Sequence, residues 1–264
     1  MANLSPGPGY CRFGSVSRSN AYDKTVDNTL AEVVLMCGRF ALRCSLHQLV
    51  DQFLLTSPPD LSLPPRFNIA PTQTIMALRR LAGNQNRELA ALHWGLIPAW
   101  AKDPAIGNRM INARSETVAE KPSFRESYKN RRCLILSDGY YEWQKRGSRK
   151  HPFFFHRDDD QPFAFAGLWE RWQDPQSGNP TETATILTTA ANEQIEPFHH
   201  RMPVILDPEK YDDWLDPEET EPSRLGPLLQ AQPPANLVID PVSTLVNSPR
   251  NDDPRCLEPP RELF

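Results

Sequence analysis

Residues 131–143 read RRCLILSDGYYEW. Cys133 to Leu136 is an unbroken apolar run of strand length. Asp138-Gly139 is a turn dipeptide, and Tyr140, Tyr141 and Trp143 favour a second strand behind it. The signature recurs in both directions. Strands are predicted at 74–81, 88–94, 132–137, 140–144, 152–156, 163–168, 183–189 and 237–240, with Gly83-Asn84 marking a further turn. Helices are few and short. Ser45 and Gln48 have capping-box spacing, and Leu46, Leu49, Val50 and Phe53 fall on one helix face. Two more are predicted at 115–121 and 208–214. The 27 prolines, against 12 glycines, disfavour long helices because each lacks an N–H donor. Strands that do not alternate with helices do not make βαβ units. The expected class is therefore α+β, one domain with a β-rich, mostly antiparallel core and short helices.

That domain is expected over 36–264. Residues 1–35 begin MANLSPGPGY, are rich in Gly, Ser, Pro and Asn, and show neither a hydrophobic period nor the apolar centre of a signal peptide. They read as a disordered extension or as a start misassigned upstream of Met36. With 39% hydrophobic and 23% charged residues over 264 positions, the rest has the composition of a folded protein. No stretch approaches the roughly 20 apolar residues of a membrane-spanning helix. Five cysteines, at 11, 37, 44, 133 and 256, include no CxxC pair. They argue against a disulfide framework or a structural zinc site and for a cytoplasmic location. The net charge of −4 is unevenly spread. Residues 102–150 hold twelve Lys or Arg against six Asp or Glu, whereas 207–221 hold eight acids and one Lys. Of 29 basic residues, 22 are Arg, the side chain suited to bidentate phosphate contacts. An acidic protein can thus carry a basic groove for a polyanion.

Cys37 follows Met36. If Met36 is the initiator and is removed, Cys37 offers an α-amine and a thiol on adjacent carbons. An α-amine with a pKa near 8 is partly neutral at pH 7. It condenses with an aldehyde to a Schiff base, which the thiol closes to a thiazolidine. Inside a chain that nitrogen is an amide, and Cys37 reads instead as a small apolar residue of a first strand. Glu142, set among aromatics, has a context that raises a carboxyl pKa and suits proton transfer, although an exposed strand Glu reads equally well. His199, His200 and Arg201 offer an imidazole for proton shuttling. They lack partners at metal-ligand spacing, so no metal and no cofactor is expected. Asn112 and Arg114 precede the helix predicted at 115 and suit phosphate or sugar oxygens; Arg114 serves equally as a cap or ion-pair partner. Trp94 and Trp100 flank a proline turn and read as indoles for stacking on unpaired bases, or as core.

Eight blocks in order resemble the SRAP family, the SOS response-associated peptidases, also described as abasic-site processing or DNA–protein crosslink shield proteins. They are MCGRF (36–40), FNIAPT (67–72), HWGLIPAW (93–100), NARSET (112–117), RRCLILSDGYYEW (131–143), FAGLWE (165–170), HHRMPVIL (199–206) and VNSPRND (246–252). The resemblance covers about 36–256. It implies a single α+β domain with a basic DNA groove that captures the ring-opened aldehyde of an abasic site in single-stranded DNA. Cys37 matches the family's crosslinking nucleophile, and Asn112, Glu142 and His199 match its other active-site residues. Arg39 and Arg114 match phosphate-contacting positions. A thiazolidine crosslink, lyase-like and autopeptidase activity, a monomer and association with the nucleoid on DNA belong to the same implication. Two readings compete. One is a cysteine peptidase with Cys37 as nucleophile and His199 as base; the other is a non-covalent single-strand binder using arginines, Trp94 and Trp100. The chain departs from the family in the 35 residues ahead of Met36, which would acylate the Cys37 nitrogen.

Overall fold

The computed structural model describes residues 38–55, 63–230 and 233–261; the 1–35 extension and Cys37 lie outside the described residues. The strands are β1 (Phe40–Leu42), β2 (Arg66–Ile69), β3 (Thr74–Arg79), β4 (Glu88–Trp94), β5 (Asn112–Arg114), β6 (Arg132–Ser137) and β7 (Gly139–Arg146). They continue with β8 (Arg149–Arg157), β9 (Phe163–Gln173), β10 (Pro180–Ala190), β11 (Arg201–Pro203), β12 (Ile205–Leu206) and β13 (Leu237–Pro241). The helices are α1 (Leu46–Phe53), α2 (Arg125–Asn130), α3 (Tyr211–Leu215) and α4 (Pro222–Leu228). The α+β, β-rich class holds.

Five strands close on themselves. β10 pairs with β4, β4 with β3, β3 with β6, β6 with β9, and β9 returns to β10. Closure leaves these strands no open edge. β5, β11 and β12 extend this barrel, and β4 and β5 run parallel to β10 while the other pairings are antiparallel. The second sheet has the order β13-β8-β7-β1-β2. Aromatic packing joins the two: the Phe40 ring lies 5.1 Å from Trp94 and 5.9 Å from Phe165, and Tyr140 lies 6.0 Å from Phe165. Such edge-to-face pairs add to the hydrophobic gain of burying the rings.

Helix α1 matches its sequence signature, with Ser45 Oγ accepting from Gln48 N–H at 3.3 Å and Gln48 returning a bond to Ser45 N–H at 2.8 Å. The 208–214 prediction is met by a 3-10 turn at Pro208–Lys210 that runs into α3. The helix predicted at 115–121 is not formed. Ser115 N–H bonds Thr188 O at 2.9 Å, so β5 pairing draws this segment onto the barrel, and turns replace the helix. Asp138-Gly139 does not reverse the chain into a hairpin: β6 belongs to the barrel and β7 to the other sheet, so the chain changes sheet here. Asp138, buried, accepts from Cys44 N–H at 3.0 Å and Arg43 Nε at 2.9 Å, tying the end of β1 to this corner. A Cβ on Gly139 would overlap the Phe154 ring, which explains the glycine. The hairpin turn is Gly147-Ser148, with Gly147 at φ 60°.

Candidate active site

Glu142 lies on β7, only 3% exposed, opposite Phe153 of β8. On its other side, β7 pairs with β1: Phe40 is opposite Tyr140, and Tyr141 N–H donates to Arg39 O at 3.0 Å. Continuing that antiparallel register sets Gly38 level with Glu142. Gly38, the first described residue of this segment, is buried.

The His199 segment reaches the same place through aromatic contacts. Phe198 packs edge-on against Phe153 at 4.9 Å and Phe155 at 5.2 Å, and Gln144 Nε2 donates to Pro197 O at 3.3 Å. His199 Nδ1 lies 3.0 Å from Arg201 N and 3.2 Å from Arg201 O, so it accepts from the amide in one tautomer and donates to the carbonyl in the other. Nε2 is buried and has no hydrogen-bond partner among the described residues. Burial pushes the His199 pKa below its ordinary value, and the neighbouring His200 and Arg201 charges add to this. The ring therefore favours its neutral form, with Nε2 left for a ligand. His200, exposed, stacks on it at 4.4 Å.

Strand β10 gathers the remaining groups. Ile186 is opposite Asn112, and Thr188 is opposite both Arg114 and Pro203. Trp94 Nε1 donates to Ile111 O at 2.9 Å, anchoring the residue before Asn112 beneath Phe40. Asn112 is half-buried and Arg114 is exposed, without an ion pair among the described residues. Arg201 forms a two-pronged pair with Glu116, at 2.6 and 2.8 Å, and donates to Thr188 O at 2.6 Å. Hydrogen bonding to Arg201 holds Glu116 below the usual carboxylate range.

Arg39 is half-buried. Its Nη1 donates to Asn68 Oδ1 and to Val246 O, both at 2.7 Å, and its guanidinium lies 5.8 Å from the Trp143 ring centre. Asn68 is the residue that sequence reasoning missed. Fully buried, it also donates to Ser248 O at 3.0 Å and Asn251 O at 2.7 Å, while Asp252 accepts from Asn68 N–H at 2.9 Å. The FNIAPT and VNSPRND blocks thus fold into one support under Arg39. A polar Asn between the apolar Phe67 and Ile69 was the available signal.

The two indoles differ. Trp100 is 60% exposed in a shallow depression with Lys102, Arg109 and Met110, and Met110 leads towards Asn112. Trp94 is 0% exposed, so the expectation that it stacks on bases is corrected: it belongs to the core. Cys44, Cys133 and Cys256 are buried free thiols. Burial pushes all three up, Cys44 to about 12, so none is a thiolate near neutrality. Among the described residues no group of three or more His, Cys, Asp or Glu could hold a metal ion, and no helix is long and apolar enough to cross a membrane.

Comparison with known proteins places this geometry. The model of the SOS response associated peptidase (SRAP) family matches residues 36–249. The abasic site processing protein YoqW of Bacillus subtilis is 44% identical over 225 residues, covering 84% of this chain and 99% of that protein. The abasic site processing protein YedK of Escherichia coli is 30% identical, covering 85% of this chain and all of that one. A crystal structure of a Bacteroides thetaiotaomicron protein superposes with a TM-score of 0.75 at 26% identity, covering 84% of this chain and 99% of that one. The chain belongs to the SOS response associated peptidase family.

Proposed function

We propose that this protein processes abasic sites in single-stranded DNA by capturing the lesion covalently through Cys37, once residues 1–36 are absent. The family match beginning at Met36 and the names of the relatives support this reading. The observation that carries it is the buried Glu142 level with Gly38, because Cys37 precedes Gly38 in the chain.

The Cys37 amine adds to the aldehyde carbon of the ring-opened deoxyribose, forming a C–N bond and a carbinolamine. Protonation of the carbinolamine hydroxyl expels water and leaves an imine; Glu142 is the proton carrier. The thiol then adds to the imine carbon, its proton passes to nitrogen, and a thiazolidine results with net loss of one water. The neutral His199, with its proton on Nε2, donates to the sugar oxygen during ring opening. Asn112 orients the amine, and Arg114 takes a phosphate. With no free imine remaining, β-elimination and strand scission are suppressed.

The test is a denaturing gel of a single-stranded abasic oligonucleotide mixed with a chain beginning at Met36. A denaturant-resistant band is expected, absent in Cys37→Ala and absent when the N-terminal amine is acetylated. A band that survives acetylation would move the chemistry to the thiol alone. Peptide turnover without a band would favour the peptidase reading.

A further inference from the structure

The β7–β8 hairpin runs outward from Glu142 and ends in a cluster of cations. Residues opposite one another on paired strands share a face, and alternate residues along a strand do too. Glu142 and Phe153, Gln144 and His151, and Arg146 and Arg149 therefore form one continuous strip. Contacts along it agree: Arg146 Nε donates to Gln144 Oε1 at 2.7 Å, and its guanidinium lies 5.9 Å from the Phe153 ring centre. At about 3.3 Å per residue, Arg146 stands about 13 Å from Glu142.

The tip is poor as a purely structural element. Arg146 faces Arg149, and Lys145 faces Lys150, two adjacent like-charged pairs that cost stability. Lys145, Arg146 and Arg149 are exposed, and none of them makes an ion pair among the described residues. Arg149 also lines a shallow depression with Arg255, Arg261 and Leu245. Arg255 is paired to Asp253, and Lys150, Arg261 and Glu258 also line the depression, so its bases outnumber its acid. Leu245 is 40% exposed, one of the few large apolar side chains so exposed among the described residues, and suits contact with a sugar or base.

We propose that this strip and tip bind the phosphate backbone of the captured DNA strand on one side of the lesion, about 13 Å from Glu142. This rests on the reading of Glu142 as part of the capture site. It adds a direction of travel for the strand and a non-covalent anchor that acts before the crosslink forms.

The test compares the Lys145→Gln/Arg149→Gln protein with wild type and with a control lacking the same charge elsewhere, Lys210→Gln/Arg224→Gln. Fluorescence anisotropy reports binding to lesion-free single strands of roughly 20 and about 4 nucleotides across a salt series. On the long strand the hairpin variant is expected to bind roughly tenfold more weakly at low salt, with a salt slope reduced by about 1.4 for two lost phosphate contacts. On the short strand it should match wild type, and the control should match wild type on both. Unchanged long-strand binding, an equal loss on both lengths, or an equal loss in the control would each overturn the proposal. Crosslinking of a short abasic strand is run in parallel. If wild type fails to crosslink it, covalent capture fails, while the length dependence still decides the anchor.

Discussion

At the inner end of the β7–β8 hairpin, Tyr140 stacks on Phe155 at 4.8 Å and Tyr141 packs against Phe154 at 4.9 Å, all four rings buried. Four to six residues away along the same ladder, Arg149 and Lys150 stand exposed opposite like charges. The inner end is explained by packing, and packing is what holds a carboxylate in an otherwise aromatic wall. The outer end is explained less by packing, since like charges face one another across the ladder and, of the described residues Lys145, Arg146 and Arg149, Arg146 alone lies over an aromatic ring. One hairpin thus combines an element shaped by the core with an element shaped for a partner.

The comparison breaks first at the inner end. Phe155→Ala should cost about 3–5 kcal/mol, read as a fall in the urea midpoint, because its ring contacts Tyr140 and Phe198 in a closed core. Little change would mean that the aromatic wall is looser than its geometry. Glu142→Gln should leave stability nearly intact and slow crosslinking at least about a hundredfold, the usual range for losing a proton carrier. Rates within a factor of two would remove Glu142 from the chemistry.

A smaller effect is expected from His199. Its folded pKa is depressed by burial, so the unfolded chain takes up the proton first as pH falls, and stability declines below about 6.5. His199→Gln should flatten that decline between about pH 7 and 5, and nitrogen NMR of wild type should find the proton on Nε2 at pH 7. A charged ring at pH 7 would contradict the assignment. The smallest effect belongs to the tip: Lys145→Ala should shift stability by no more than about 0.5 kcal/mol, while lowering long-strand DNA affinity. A large stability loss there would make the tip a structural element after all.

The same contrast separates what the sequence discloses from what it hides. β4 and β6 are legible at their observed bounds because each is mostly apolar over a full strand length, and α1 because cap and hydrophobic face are both local. β5 and β11, three residues each, exist because β10 pairs with them, and no local pattern marks such strands. Trp94 and Trp100 share one short motif, yet one ends a barrel strand and the other follows it, so only the tertiary structure tells them apart. Glu142 was legible as a carboxylate among aromatics. His199 and Asn112 became legible through their family blocks, and the Glu116–Arg201 pair went unseen because it joins segments 85 residues apart.

Covalent capture through the Cys37 amine is tested most directly by intact mass spectrometry of the chain beginning at Met36 after reaction with an abasic oligonucleotide. The account predicts Met36 removed, an adduct equal to protein plus oligonucleotide less one water, and a Cys37 thiol closed to alkylation. An adduct in which Cys37 still alkylates, or one formed equally by the chain retaining residues 1–36, would contradict it.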